Sequence, residues 1–222
     1  MVIFRSKKRF AARLHFAITF IVRVSLLIAI ISSIVQGNWG ALFLALLTLI
    51  LTFLPALIRR NWKITLPHEF EIIIVLFIFS SLFLGEFNDF YQKFWWWDIF
   101  HHSFGSLALG FIGFVILYTL FEEKIVYAKP ITISIFSFCF ALSIGAIWEI
   151  FEFAMDSFFN WGMQASGLVD TMWDLIIDSL SAIFTSFIGY LYLKGGKVRI
   201  FNRLIVLFIK ENPQFFKGNK KQ

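Results

Sequence analysis

The sequence predicts an all-α integral membrane protein, one membrane domain over residues 1–222, built as a bundle of six transmembrane helices with both termini cytoplasmic. Three observations predict it. The chain is 59% hydrophobic and 20% aromatic, with 31 Phe and only 15% charged residues, where a soluble domain carries about 25% charge. Six apolar runs are each long enough to cross a hydrocarbon core, which takes roughly 20 helical residues. The basic residues recur on alternate connections between those runs.

The first run, near 14–35, follows a basic stretch (Arg5, Lys7, Lys8, Arg9, Arg13) as the core of a signal peptide would. It is too long for one, and Ser32–Asn38 offers no small-x-small cleavage site, so it reads as an uncleaved first helix. The second run lies near 40–58. The third, near 70–84, is short unless it extends through Glu69 and Glu86. The remaining three lie near 98–120, 131–153 and 171–193. Connections are brief, so neighbouring helices should be antiparallel. After the last run, "VRIFNRLIVLFIKEN" places Arg199, Arg203 and Lys210 roughly along one side. An in-plane helix over 199–211 on an anionic inner leaflet would suit that pattern.

Orientation follows from Lys and Arg in the short connections. The N-terminal stretch, Arg59/Arg60/Lys63, Lys124/Lys129 and the C-terminal tail hold all of the 20 basic residues except Arg23 and Lys93. Six crossings put those four regions on one side, the cytoplasmic one. Most acids (Glu86, Asp89, Asp98, Glu149, Glu152, Asp156, Asp170, Asp174, Asp178) fall on the other. The pI near 9.5 is therefore a topology signal rather than a mark of nucleic-acid binding. The single cysteine, Cys139, excludes an intrachain disulfide and a Cys-based metal site and is expected to be packing.

The stretch "WWWDIFHHSFG" brings Asp98, His101 and His102 to the mouth of the fourth helix, the histidines at i+3 and i+4 from the acid and so on one face. The fifth helix ends on the same side with "WEIFEFAMD", carrying Glu149, Glu152 and Asp156. The sixth starts there with "DTMWDLIID", carrying Asp170, Asp174 and Asp178. At about 1.5 Å rise per residue, His102 lies roughly 6 Å deeper than Asp98, Glu149 roughly 10 Å deeper than Asp156, and Asp174 roughly 6 Å deeper than Asp170. If these helices adjoin, His102, Glu149, Glu152 and Asp174 converge just below the outer surface. So many acids in a low-dielectric setting need compensating protons or cations. A hard divalent cation held by carboxylates plus imidazole resolves the charge, and so does proton sharing. Asp98 and Asp170 also fit first-turn positions, where acids favour the helix dipole. That reading does not extend to Glu149, Asp174 and Asp178, which lie deeper in their helices.

Other residues have plainer readings. Arg23, about eight residues into the first helix, either snorkels toward the cytoplasm or pairs with Asp178. His15 and His68 read as interfacial. Trp95, Trp96, Trp97 and Trp161 read as an aromatic belt, with a platform for a lipid headgroup or sugar as the alternative. Gly105, Ser106, Gly110 and Gly113 permit close helix packing. The chain lacks a Walker loop, G-x-G-x-x-G, G-x-S-x-G and H-E-x-x-H.

Over roughly residues 86–190, the pieces "WWDIFHH", "IWEIFEFAMD", Met163–Gln164 and "GLVDTMWDLIIDSLSA" together resemble the YjdF-like family of predicted bacterial membrane proteins. The order D-x-x-x-H, W-E-x-x-E, D-x-x-x-D is also similar to VanZ-like proteins. The resemblance implies a small polytopic protein of the bacterial cell membrane and supplies no reaction. Carried over by position, Asp98, His102, Glu149, Glu152, Asp170 and Asp174 occupy the motif places. Ile99 stands where VanZ-like proteins often have a lysine, so this chain must balance its acids otherwise.

Three functional readings follow. The first is a metal-assisted hydrolase or transferase acting on a lipid-linked or cell-envelope substrate at the outer leaflet. In it, His102, Glu149, Asp174 and Asp170 hold a divalent ion, and Glu152, His101 or Asp98 serves as acid or base. The second is a proton- or cation-coupled transporter, although no inverted repeat is visible. The third is a non-catalytic partner of another envelope protein. Substrate, metal identity and oligomeric state are not encoded legibly, nor is the choice between His101 and His102 as the inward histidine.

Overall fold

The computed structural model describes residues 2–164, 166–196 and 198–220, with side chains described between Phe10 and Phe216. Among the described residues the chain is helical and contains no strand. Five helices among the described residues are long and apolar enough to cross a membrane, or six if a bent pair forms one span. The contacts divide the chain into two compact units, 1–94 and 95–222.

The first unit is built from α1 (Val2–Gln36), α2 (Trp39–Leu51), α3 (Leu54–Trp62) and α4 (His68–Ile78), which continues as a π-helical segment Phe79–Phe87, and the short α5 (Phe90–Lys93). Asn38 caps α2 by accepting from the Ala41 amide at 3.1 Å. The run expected at 40–58 is broken: α2 and α3 meet at 41°. Pro55 has no N–H to donate back to Leu51, so the helix stops there and α3 starts afresh with proline in its first turn. Arg23 attends this break. Its Nε donates to Thr52 Oγ1 and its Nη2 to the Thr52 carbonyl, both at 3.2 Å, and its guanidinium lies 3.8 Å above the Phe53 ring. The third run reaches from His68 to Phe87 by way of the π segment, taking in Glu69 and Glu86. Val22, Leu26 and Val75 form the core, flanked by Ile18, Leu49, Phe79 and Phe83.

The second unit is a three-helix bundle of α6 (Trp96–Glu122), α7 (Pro130–Phe159) and α8 (Leu168–Leu193), followed by α9 (Arg199–Glu211) and a 3-10 segment, Pro213–Lys220. α7 runs six residues past the expected Phe153, because nothing stops it before Asn160, whose backbone is left-handed. The bundle interior is small and polar. Its buried stripes are His102, Ser106, Gly110, Gly113 and Phe114 on α6, then Ser137, Ala141, Gly145, Glu149 and Glu152 on α7. On α8 they are Asp174, Asp178, Ala182, Thr185, Ser186 and Gly189. The spacing of three and four keeps each stripe on one face. Small residues let the helices approach, and hydroxyls cross the seam: Ser137 Oγ donates to the Gly110 carbonyl at 2.7 Å and Thr185 Oγ1 to the Leu107 carbonyl at 3.3 Å. Large apolar side chains point outward instead, Ile150, Phe153, Leu180 and Phe184 among them. An outer surface of that kind is buried by lipid rather than by protein. Cys139 is exposed on α7, so it lies on that outer surface and not in the packing expected of it.

α9 forms where the sequence placed an amphipathic helix. Its Phe201, Ile205 and Phe208 are buried, with Phe201 against the rings of Phe114 and Phe111 at 5.1 and 5.3 Å. Part of its apolar face therefore packs on the bundle, while Arg199, Arg203 and Lys210 remain exposed.

Candidate functional site

The three stripes of the second unit change character toward one end. Gly and Ser give way to His102 and Asp98 on α6, Gly145 to Glu149 and Glu152 on α7, and Ala182 to Asp178 and Asp174 on α8. The seam that brings small residues together therefore brings ionisable ones together as well. Gly145 is essential to this closeness: a Cβ there would collide with Asp178 Oδ2. At the Asp98 end, Gly167 takes a left-handed backbone that glycine alone adopts freely, and α8 starts at the next residue.

His102 is the hub. Its Nδ1 lies 3.3 Å from Asp178 Oδ1. Its Nε2 lies 3.6 Å from Asp98 Oδ1, 3.7 Å from Glu149 Oε1 and 4.0 Å from Asp174 Oδ1. Ser106 Oγ, one turn along α6, donates to Asp178 Oδ1 at 2.7 Å, so Asp178 is fixed from the same helix that carries the imidazole. Neither oxygen of Glu149, nor Asp178 Oδ2, has a hydrogen-bond partner among the described residues. An isolated buried carboxylate is costly, on the order of several kcal/mol after relaxation, so this arrangement calls for a compensating positive charge. Exposure falls inward from 32% at the Asp98 side chain to 3% at Glu149 and 2% at Asp178. Asp98 is thus the mouth and Asp178 the floor.

Asp98, His102 and Asp174 could hold a metal ion, each offering a ligand atom within 4.8 Å of the others. The other sequence candidates have different surroundings. His101 is turned aside: its Nδ1 donates to the Trp97 carbonyl at 2.8 Å and its ring lies against Trp97 and Phe100. Glu152 is buried and accepts from Trp148 Nε1 at 2.8 Å. Asp170 sits in the first turn of α8, a turn before Asp174. Asp156 accepts from the Met163 and Gln164 amides at 2.6 and 2.8 Å, which makes it the clamp of the α7–α8 connection. Two members were not among the sequence-derived ligands, Asp178 and Ser106. Their signal was spacing: each stands four residues beyond a candidate, Asp174 and His102 respectively.

Residues 15–195 match the family described as "Predicted membrane protein (DUF2238)". The chain belongs to this family. A relative from Thermotoga maritima, described as an uncharacterized protein, is 27% identical over 140 residues, which are 62% of this chain and 70% of that protein. No solved structure matches. The segment matched to the family contains the whole His102 cluster and ends before α9. The family description agrees with the apolar, all-helical build and assigns no activity, so any activity has to be argued from the cluster.

Proposed function

We propose that the second unit is a metal-assisted hydrolase or transferase acting on lipid-linked or cell-envelope substrates, with Asp98, His102 and Asp174 as ligands of a divalent ion and Glu149 beside it. One observation carries the reading: three carboxylate oxygens face one imidazole nitrogen at 3.6 to 4.0 Å. Those separations are longer than hydrogen bonds. They are close to the spacing of about 3.4 Å between neighbouring donors around an ion with bonds of about 2.1 Å.

The chain's own residues then have distinct tasks. Asp178 accepts from Nδ1–H of His102, which leaves the Nε2 lone pair directed at the three carboxylates, and Ser106 holds Asp178 in place. Such outer partners fix the tautomer and orientation of a ligating histidine. Three protein ligands leave a coordination position open, as catalytic rather than structural sites do. A bound ion would supply Lewis acidity and activate water near neutral pH. Glu149, whose Oε1 lies 3.7 Å from the same Nε2, is placed to take up the proton. Asp98 lies where substrate arrives, and the exposed Trp95 and Trp96 adjoin it in sequence. Glu152 and His101 support the site by packing and orientation. The positive-inside pattern supports an outward-facing mouth in the cytoplasmic membrane, with α9 setting Arg199, Arg203 and Lys210 toward the anionic inner leaflet.

The polar seam favours this reading over ion-coupled transport. Beyond Asp178 the buried stripes continue as Ser, Thr, Ala and Gly together with the apolar Phe114 and Ile133, and none of these side chains titrates. Elemental mass spectrometry on detergent-purified protein tests the proposal, beside His102→Ala and Glu149→Gln. Bound metal that falls in His102→Ala, with a matching loss of cellular phenotype in both variants, supports it. Metal content and phenotype unchanged in both variants would overturn it.

A further inference from the structure

The first unit carries a second convergence of ligand-type side chains, separate from the one above. Glu71, in the first turn of α4, is buried to 4% side-chain exposure. Its Oε2 lies 3.4 Å from His15 Nδ1 of α1 and 3.1 Å from His68 Nδ1, three residues earlier on α4. Its Oε1 lies 3.7 Å from Arg59 Nη1, in the last turn of α3. The two imidazole rings stack at 5.6 Å, inclined by 25°. Pro67, with φ of −55°, sets the entry of α4, so His68 and Glu71 are fixed on one face of its first turn.

We infer that His15, His68 and Glu71 form a binding site for a divalent transition-metal ion of the zinc class, with Arg59 as the positioning residue for Glu71. The three donors offer ligand atoms within 4.8 Å of one another, and two imidazoles with one carboxylate are a donor set such ions favour. Both rings present the same nitrogen to the same oxygen, so one ion between them satisfies all three groups. Arg59 neutralises and orients the other carboxylate oxygen, as outer partners of metal ligands do. The histidine side chains are 24% and 40% exposed, which gives the ion access and leaves room for water as a further ligand. Bound there, the ion ties α1 to α4. Its three ligands all belong to the first unit.

Cobalt(II) titration of the full chain in detergent tests the site, read by visible d–d absorption. The His102→Gln protein isolates it from the other cluster and is expected to retain one tightly bound equivalent. Adding Glu71→Gln or His68→Gln should remove that equivalent, and adding Arg59→Gln should weaken it about 10- to 100-fold. X-ray absorption on the His102→Gln protein gives a readout that needs no further substitution: two imidazoles in the first shell support the site. An oxygen-only shell, or cobalt affinity unchanged by His15→Gln and His68→Gln, would overturn it. Failure of the second-unit reading shows separately, as His102→Gln leaving the wild-type stoichiometry unaltered.

Discussion

Asp178 holds the far edge of the His102 imidazole, its Oδ1 lying 3.3 Å from Nδ1 while also accepting from Ser106. That contact decides which nitrogen faces Asp98, Glu149 and Asp174. Asp178→Asn keeps the shape and the acceptor for Ser106 but removes the charge. Zinc affinity, measured by competition with a chelating dye, should fall about 10- to 100-fold with the fold intact, the usual effect of losing an outer partner. Unchanged affinity would mean that Asp178 is only packing.

The adjacent histidines should separate cleanly. His102 faces four carboxylates within 4.0 Å, whereas His101 donates to its own helix at Trp97. Elemental analysis of the purified variants is expected to show the second-unit equivalent lost in His102→Gln and kept in His101→Gln. Loss in His101→Gln alone would reverse the assignment.

The all-helical build with five or six spans, and the approach of His102 to Glu149 and Asp174, were legible in the sequence because both depend on local periodicity. Apolar runs report spans, and Asp98/His102 or Asp174/Asp178 at i+4 report a face. The second span was read as unbroken because Pro55 sits in an apolar run, and the partner of the break, Arg23 donating to the Thr52 carbonyl, lies 29 residues away in the chain. Choosing between His101 and His102 needs the rotation of α6, which is set by Gly110 against Thr185 and Gly113 against Phe140. The His15–Glu71–His68 grouping joins residues 56 positions apart in the chain, and no local pattern encodes that.

Gly145 supplies the space that the Asp178 carboxylate occupies. Gly145→Ala leaves α7 as good a helix or better, so a surface glycine would gain stability from it. Here the added methyl must displace Asp178 or part α7 from α8. Overpacking of a tight core costs typically 1–3 kcal/mol, and the thermal midpoint in detergent is expected to drop. Zinc affinity should fall as well, because Asp178 loses its hold on His102. A midpoint at or above wild type would show that the seam is loose at this point.

Metal removal should separate the two clusters by stability. An ion that binds only the folded state stabilises it by RT ln(1 + [L]/Kd), about 2.7 kcal/mol at 100-fold excess over Kd. Thermal unfolding in detergent, with zinc and then with excess chelator, is therefore expected to show a lower midpoint after chelation. His102→Gln should remove part of that difference, since the ion ligated from α6 and α8 is lost. The part that survives belongs to the site joining α1 and α4, and Glu71→Gln should remove it. If chelation moves the wild-type midpoint not at all, neither cluster holds an ion tightly, and the unpartnered oxygens of Glu149 are then satisfied by shared protons instead.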